Sequence, residues 1–313
     1  MNTKIQAIEF NNYIDLAELF KKYNYSFDEY VTMQVGYDEK IYILFNEHIP
    51  ERIDGMFVPA ESNSRFSVLE LEPNWYEGTV INEKLYHLGT QEMNHSFIQP
   101  VPGGFLLVSA RCRYNKGNPD HNAVIVDLDG NKMDEFCLGD GISQCMFHPE
   151  LGIVTGYFDE GIFGNYGWEE PLGEYGVRVW GKDGRDIWKA DKEIYDCYAL
   201  NISEAGDIWY YYYNEFKLVK ENIHTSDERE FDPGISGSNS LVISEDNATV
   251  ILDQGYDAQE EYAAINILGN GSCDPVPLSF TYKGNSCELY LISSFGSKAA
   301  FVENGTHLFI KKI

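Results

Sequence analysis

One stretch of the chain, residues 97–108, shows the unit from which the fold is built. It reads Phe97-Ile98-Gln99-Pro100-Val101-Pro102-Gly103-Gly104-Phe105-Leu106-Leu107-Val108: an apolar strand, a tight turn and a stronger apolar strand. A third apolar run follows at residues 124–128 and turns at Asp129-Gly130. An Asp-Gly pair between apolar runs is a strong hairpin signal, because both turn residues tolerate a positive φ. The stretch therefore predicts antiparallel β-structure.

The same pattern recurs along the chain, so we expect a repeat protein. The second strands of the repeats begin about 42 to 64 residues apart, at Ile41, Phe105, Ile153, Ile208, Val250 and Ala299. Hairpins that supply third and fourth strands are indicated by turns at Asp129-Gly130, Asp183-Gly184 and Asn270-Gly271. Four strands in a unit of this length are typical of a β-propeller blade. The sequence predicts an all-β, six-bladed β-propeller that forms a single domain over residues 1–313.

The two ends of the chain are expected to close the propeller together. The last repeat ends after three strands, and an orphan strand at residues 5–10 is available to join this blade as its missing outer strand. Such pairing hides the sheet edges at the seam. One short N-terminal helix is predicted at residues 13–23, because its apolar residues share one face and Asn11 or Asn12 can cap it.

These repeats resemble those of WD40-like and other six-bladed β-propeller proteins over nearly the whole chain. The resemblance is one of architecture. No blade carries the Gly-His…Trp-Asp signature, and residues 203–209 approach a sialidase-type Asp box with the wrong spacing. Because fold alone does not give function, no family's functional residues are carried over.

Composition excludes several classes of partner. Among 313 residues, 23 are Lys or Arg and 50 are Asp or Glu, which gives a net charge of −27. This balance argues against nucleic acid and against an anionic membrane surface, and it permits a cationic partner. The start of the chain lacks a secretory signal, and the six cysteines are scattered without a C-x-x-C pair. We therefore expect reduced thiols and a cytoplasmic protein.

One face of the predicted propeller carries the long loops. The connections between second and third strands are long in four repeats, at residues 46–65, 111–122, 159–175 and 253–261. Two acidic stretches, residues 133–177 and 230–282, each contain nine Asp or Glu and no Lys or Arg. Loops on a rigid scaffold are where binding and chemistry usually lie. Any functional site is therefore expected on this acidic long-loop face.

The predicted site lies at the mouth of the channel on that face. Its candidate ligand-binding residues are Asp159, Glu160, Trp168, Asp196 and Asp253. Aromatic side chains among carboxylates can stack on a sugar, a base or a cationic group. The alternative is a solvated acidic loop whose aromatic residues pack back onto the blade.

Carboxylates also recur just after the second strands. No metal site is predicted, but the set that would hold a divalent cation, if one binds, is Glu47, Asp159, Glu215 and Asp253. Oxygen ligands of this kind suit a hard cation. The same residues could instead hold loops by hydrogen bonds at the strand ends, and no other cofactor is expected.

Two functions follow from these observations. The first is a non-enzymatic binding scaffold that recognises a protein or small ligand on the acidic long-loop face. It is favoured because the sequence contains no G-x-S-x-G, H-E-x-x-H, P-loop or dinucleotide-binding motif. The alternative is a metal-assisted hydrolase or lyase at the channel mouth, which would need polar strand-end residues to converge on one ion.

Overall fold

The computed structural model describes residues 6–51, 61–269 and 271–313, and almost all of its regular structure is β-strand. Its first elements are β1 (Gln6–Phe10), β2 (Ile14–Asp15) and α1 (Leu16–Lys22).

The next part of the chain forms three four-stranded blades. Blade 1 contains β3 (Tyr30–Val35), β4 (Ile41–Asn46), β5 (Glu61–Asn74) and β6 (Thr79–Met93). Blade 2 contains β7 (Phe97–Val101), β8 (Gly104–Val108), the small hairpin of β9 (Tyr114–Asn115) and β10 (Asn118–Pro119), and then β11 (Ala123–Asp127) and β12 (Lys132–Phe136). Blade 3 contains β13 (Ile142–His148), β14 (Gly152–Tyr157), the helix α2 (Asp159–Phe163), β15 (Val177–Trp180) and β16 (Asp186–Lys189).

The last part of the chain forms three more blades. Blade 4 contains β17 (Asp196–Ile202), β18 (Ile208–Tyr213), β19 (Lys217–Asn222) and β20 (Asp227–Phe231). Blade 5 contains β21 (Val242–Ile243), β22 (Thr249–Asp253), β23 (Tyr262–Ile267), β24 (Cys273–Tyr282) and the short β25 (Asn285–Cys287). Blade 6 contains β26 (Tyr290–Phe295), β27 (Lys298–Glu303) and β28 (His307–Lys312). The prediction of an all-β, six-bladed propeller is confirmed.

The chain divides into two compact units of three blades each. One unit holds blades 1 to 3 and ends at Asp196. The other begins at Cys197 and holds blades 4 to 6 together with β1, β2 and the turn between β5 and β6. The expectation of a single domain over residues 1–313 stays a prediction.

The core of each unit lies between neighbouring blades, because the strands bury both of their faces. In blades 1 and 2, Leu44 and Val68 belong to the same buried cluster as Leu107. In blade 4, strand β18 ends in four consecutive tyrosines, of which the first three are buried and the last, Tyr213, is 41% exposed. Full burial of such large side chains supplies much of the apolar area that stabilises the fold.

The hairpin turns follow from local sequence. In the turn of blade 2, one carboxylate oxygen of Asp127 accepts hydrogen bonds from the backbone N–H groups of Asp129 and Asn131. Gly130 has a φ of 83°, a conformation that favours glycine. In the predicted turn of blade 5, Asn270 lies outside the described residues, as do residues 52–60 of the first long loop and Ile5 of the orphan strand.

The N-terminal segment closes the last blade, as predicted, but the strand that does so is β2. It pairs antiparallel with β28 as the fourth strand of blade 6. The orphan strand, β1, pairs instead parallel with β24 of blade 5. The reason lies in Phe10, which is 1% exposed and packs its ring against Phe280, Phe301 and Phe309 of the two blades. Burying this ring between the two sheets fixes β1 beside blade 5.

The helices differ from the sequence prediction in two ways. Helix α1 is shorter than residues 13–23, because β2 uses residues 14–15 for strand pairing. The proposed caps do not cap it, since the side-chain amides of Asn11 and Asn12 donate to the carbonyls of Tyr76 and Glu77. The expectation of one helix was also incomplete, because α2 forms a single helical turn inside the long loop of blade 3.

Candidate functional site

The structure shows the long loop that the sequence predicts between the second and third strands of blade 3. The connection from β14 to β15 spans residues 158–176, whereas that from β18 to β19 spans residues 214–216. Helix α2 begins directly after β14 and fixes the first turn of the long loop of blade 3, because the backbone N–H groups of residues 161 and 162 donate to the carbonyl of Phe158. The side chains at the start of this loop are therefore held on a hydrogen-bonded helical turn.

Two carboxylates of the predicted site lie close together in the unit of blades 1 to 3. Asp159 is exposed at the start of α2, and Asp196 is half-buried at the start of β17. Burial raises the pKa of Asp196 to about 7, and the charge of Asp159 adds to the effect. Within the described ranges, Asp196 has no ion pair or hydrogen-bond partner for its carboxyl group. Like charges in a partly desolvated place are costly unless a cation joins them.

Two aromatic rings come from the same two segments as these carboxylates. Phe163 ends α2 and is 63% exposed, and Tyr195 precedes Asp196 in the chain. Their ring centroids lie 5.2 Å apart at an interplanar angle of 68°. Because Asp159 and Phe163 are four residues apart on one helical turn, they share a face. We call Asp159, Phe163, Tyr195 and Asp196 the acidic–aromatic site.

Glu160 has a different environment from its neighbour Asp159. Its carboxylate lies 2.5 Å from a terminal nitrogen of Arg111, which also makes two hydrogen bonds, of 3.0 and 2.8 Å, to the buried Asp140. The guanidinium group of Arg111 lies 4.7 Å from the centre of the Tyr166 ring. The charge of Glu160 is thus neutralised within the protein, and Tyr166 is used for packing.

Trp168 packs back onto the protein. Its side chain is 8% exposed, its ring nitrogen donates a 2.7 Å hydrogen bond to the carbonyl of Cys112, and its ring lies 4.8 Å from that of Tyr114. Through these two contacts the buried ring ties the loop of blade 3 to that of blade 2. This matches the alternative in which loop aromatics pack onto the blades.

Asp253, the candidate from blade 5, is a buried residue of the other unit. It is 3% exposed, and its two oxygens accept hydrogen bonds from the backbone N–H groups of Asn239 and Gly255, at 3.0 and 2.7 Å. A carboxylate used in this way holds loops at a strand end.

The other two candidate cation ligands are exposed residues beside ordinary partners. Glu47 lies 3.9 Å from Arg65, and Glu215 accepts a 3.2 Å hydrogen bond from the hydroxyl of Tyr212. Within residues 6–51, 61–269 and 271–313, no group of three His, Cys, Asp or Glu side chains is arranged to hold a metal ion.

A second group of aromatic rings, two of them exposed, lies in blades 4 and 5. Tyr256 is 60% exposed, and its ring lies 5.9 Å from Phe216 and 6.3 Å from Tyr198. Tyr213 stacks beside Tyr198 at 6.0 Å. These rings contact one another, so each covers part of the next.

A polar groove of about 520 Å³ lies between the outer strands of blades 1 and 2. Its lining includes Gln91, His95, Arg113 and Glu135, and none of the residues of the acidic–aromatic site. Burial lowers the pKa of His95 to about 3, so this imidazole is neutral at physiological pH. Such a group is a poor general acid or base near neutrality.

Sequence reasoning missed the importance of Arg111. It follows a second strand, at the position where four other repeats have a carboxylate, and the sequence signals it only as this departure from the pattern. Its partners, Asp140 and Glu160, are 29 and 49 residues away in the chain, so only the packing of blades 2 and 3 brings the three charges together. No helix in the described parts of the chain is long and apolar enough to cross a membrane.

Comparison with known proteins supports the architecture. No family model and no curated protein matches the chain. Among solved structures, a chain of the mitotic checkpoint complex is similar with a TM-score of 0.51 and 8% identity, over 99% of this chain and 87% of that one. A catalytically inactive virginiamycin B lyase from Staphylococcus aureus, solved with quinupristin, has a TM-score of 0.49 and 10% identity, over 96% and 97% of the two chains. The first of these likenesses agrees with the β-propeller architecture, and at this identity it concerns the fold alone.

Proposed function

We propose that the protein is a non-enzymatic binding scaffold that takes a cationic group of a protein or small ligand at its acidic–aromatic site. The observation that supports this most directly is the pair of Asp159 and Asp196, two nearby carboxylates without a neutralising cation among the described residues. A bound ammonium or guanidinium group would stabilise both charges, and groups with pKa values shifted in this way are concentrated at functional sites.

The neighbouring aromatic rings make a positively charged organic group a better ligand than a bare ion. Phe163 is largely exposed, and its ring packs against that of Tyr195 in an edge-to-face arrangement. A cation above an aromatic face gains an attraction of about 0.5–2 kcal/mol, according to how far it is desolvated. Carboxylates and rings together thus favour a lysine-like or arginine-like head group.

The location proposed for this scaffold is the cytoplasm. None of the six cysteines, all of which lie in the described residues, is in a disulfide bond, which agrees with a reducing compartment.

Calorimetric titration with basic probes tests the proposal. The probes are a hexa-arginine peptide for a protein partner and arginine amide for a small ligand. We expect the double variant Asp159→Asn/Asp196→Asn to bind the better probe at least about tenfold more weakly, which corresponds to about 1.4 kcal/mol.

The matched control is Glu169→Gln/Glu170→Gln, which removes the same charge from two exposed residues of the same loop. It should change the affinity less than about twofold, because screened surface charges contribute little. Equal weakening by both double variants would show that only the overall negative charge attracts the probe, and would contradict the proposal.

The alternative function is a metal-assisted hydrolase or lyase. Thermal unfolding with millimolar Ca²⁺, Mg²⁺, Mn²⁺ or Zn²⁺ distinguishes it from the binding scaffold. A ligand that binds only the folded protein raises the unfolding midpoint. We expect no rise that depends on Asp159 and Asp196. A rise that disappears in the double variant would favour the enzyme.

A further inference from the structure

Two cysteines that are distant in the sequence meet in blade 2. Cys112 follows β8 and Cys137 follows β12, and their sulfur atoms lie 3.6 Å apart. In the strand order β12-β11-β8-β7, β8 and β12 are the two neighbours of β11, and both run antiparallel to it. Their C-terminal ends therefore lie at the same edge of the sheet. Both residues belong to the unit of blades 1 to 3, and neither takes part in the acidic–aromatic site.

We propose that Cys112 and Cys137 form a reversible redox pair that a small disulfide, of the class of oxidised glutathione, converts to an intramolecular disulfide. The sulfurs need to approach only from 3.6 Å to about 2.05 Å, which is within reach of side-chain rotation.

The two thiols have different exposures, and this difference gives them different roles. Cys112 is 0% exposed, whereas Cys137 keeps part of its surface open to solvent. The hydrogen bond between the two thiols lowers the pKa of Cys137, and a backbone hydrogen bond at Gly139 adds to this against burial. Cys137 is therefore the attacking thiolate, and Cys112 is the resolving thiol.

The reaction is a pair of thiol–disulfide exchanges. The Cys137 thiolate attacks one sulfur of oxidised glutathione, whose S–S bond breaks, and one glutathione thiolate leaves and takes up a proton. Cys112 then loses its proton and attacks the sulfur of Cys137 in the mixed disulfide, which releases the second glutathione. Two electrons pass from the two protein thiols to the reagent, and reduced glutathione reverses both steps.

The surroundings of Cys112 are already ordered for such a bond. Its backbone N–H donates a 2.7 Å hydrogen bond to Asp140, and its carbonyl accepts one of the same length from Trp168. Its thiol lies 3.3 Å from the carbonyl of Asp120, a contact that disulfide formation would exchange for the S–S bond. The backbone at Cys112 can thus stay in place while the side chain turns.

Equilibration of the full chain in glutathione buffers of increasing oxidation tests the proposal, with free thiols counted by alkylation and mass spectrometry. We expect two of the six thiols to be lost together, and peptide mapping without reduction to join Cys112 to Cys137. Addition of reduced glutathione should restore both. Retention of all six thiols, or a disulfide between other residues, would overturn the proposal without use of any variant.

Single substitutions assign the roles. Cys112→Ser should trap glutathione on Cys137, whereas Cys137→Ser should slow thiol loss at Cys112 at least about tenfold, because a buried thiol attacks slowly. Cys145→Ser, which changes another buried cysteine, is the control and should leave the reaction unchanged. Unchanged thiol loss at Cys112 in Cys137→Ser would contradict the assignment of Cys137 as the attacking group.

Discussion

The charges of the long-loop face are used in different ways by neighbouring residues. Asp159 and Glu160 are adjacent in α2, yet Glu160 is paired with Arg111 while Asp159 raises the pKa of Asp196. Asp253, which has the same residue type at an equivalent strand end, is buried under two backbone hydrogen bonds. Residue type and position in the repeat therefore do not decide the role of a carboxylate; its partners do.

The pH dependence of stability should report on Asp196. Burial raises its pKa to about 7 from an ordinary value of 3.8, so the folded protein holds this proton more tightly than the unfolded chain does. The resulting stabilisation is complete below about pH 4 and is lost as the pH rises through about 7. Asparagine does not ionise, so the variant Asp196→Asn does not lose this stabilisation as the pH rises. We expect the variant to be more stable than the parent at pH 8, by on the order of 1 kcal/mol after allowance for solvent screening.

Thermal unfolding from pH 4 to pH 8 measures this difference. The gain of Asp196→Asn over the parent should grow between about pH 4 and 7 and then level off. Glu170→Gln, which removes an exposed carboxylate of the same stretch, is the matched control for the loss of one negative charge. If the stability difference between Asp196→Asn and the parent is constant from pH 4 to pH 8, Asp196 does not have a raised pKa in the folded protein.

At the scale of elements, the hairpin turns decide where the strands of a blade reverse. The backbone of a neighbouring blade can further restrict which residue fits in such a turn. Gly130 has a φ of 83°, and a Cβ atom there would lie 2.3 Å from the carbonyl oxygen of Leu88 in blade 1. Gly103, in the first turn of the same blade, has a φ of 87° with open space around it. Substitution of Gly103 therefore tests the cost of the positive φ alone, whereas substitution of Gly130 adds a steric conflict with Leu88.

Gly130→Ala should lower the free energy of unfolding more than Gly103→Ala. The positive φ alone costs about 1–2 kcal/mol for an L-residue, and overpacking against backbone adds about 1–3 kcal/mol. We expect a loss of about 1–2 kcal/mol at Gly103 and about 3 kcal/mol or more at Gly130, as measured by urea unfolding. Equal losses would mean that blade 1 moves aside without cost.

At the scale of the whole molecule, the N-terminal segment joins two blades in different ways. β1 extends blade 5, β2 completes blade 6, and the buried ring of Phe10 packs on phenylalanines of both. The end of the chain and its beginning are thus held in one compact unit.

Phe10→Ala should destabilise that unit strongly. Deletion of a fully buried phenylalanine side chain costs about 3–5 kcal/mol, because contacts are lost and a cavity remains. Chemical denaturation should show a corresponding fall in the unfolding midpoint. Phe163→Ala, at a ring that is 63% exposed, should change stability by less than about 0.5 kcal/mol. A small effect at Phe10 would mean that closure does not depend on this ring.

The sequence by itself determined the six blades, because alternating apolar strands and Asp-Gly turns are local signals that repeat with a regular spacing. It also located the long loops and their acidic character. It did not determine that residues 6–10 join blade 5, that Arg111 neutralises Asp140 and Glu160, or that Trp168 is buried. Each of these depends on contacts between segments far apart in the chain, and only tertiary packing brings such segments together. The meeting of Cys112 and Cys137 is of the same kind: their distance along the chain gives no hint of it, and the strand order of one blade decides it.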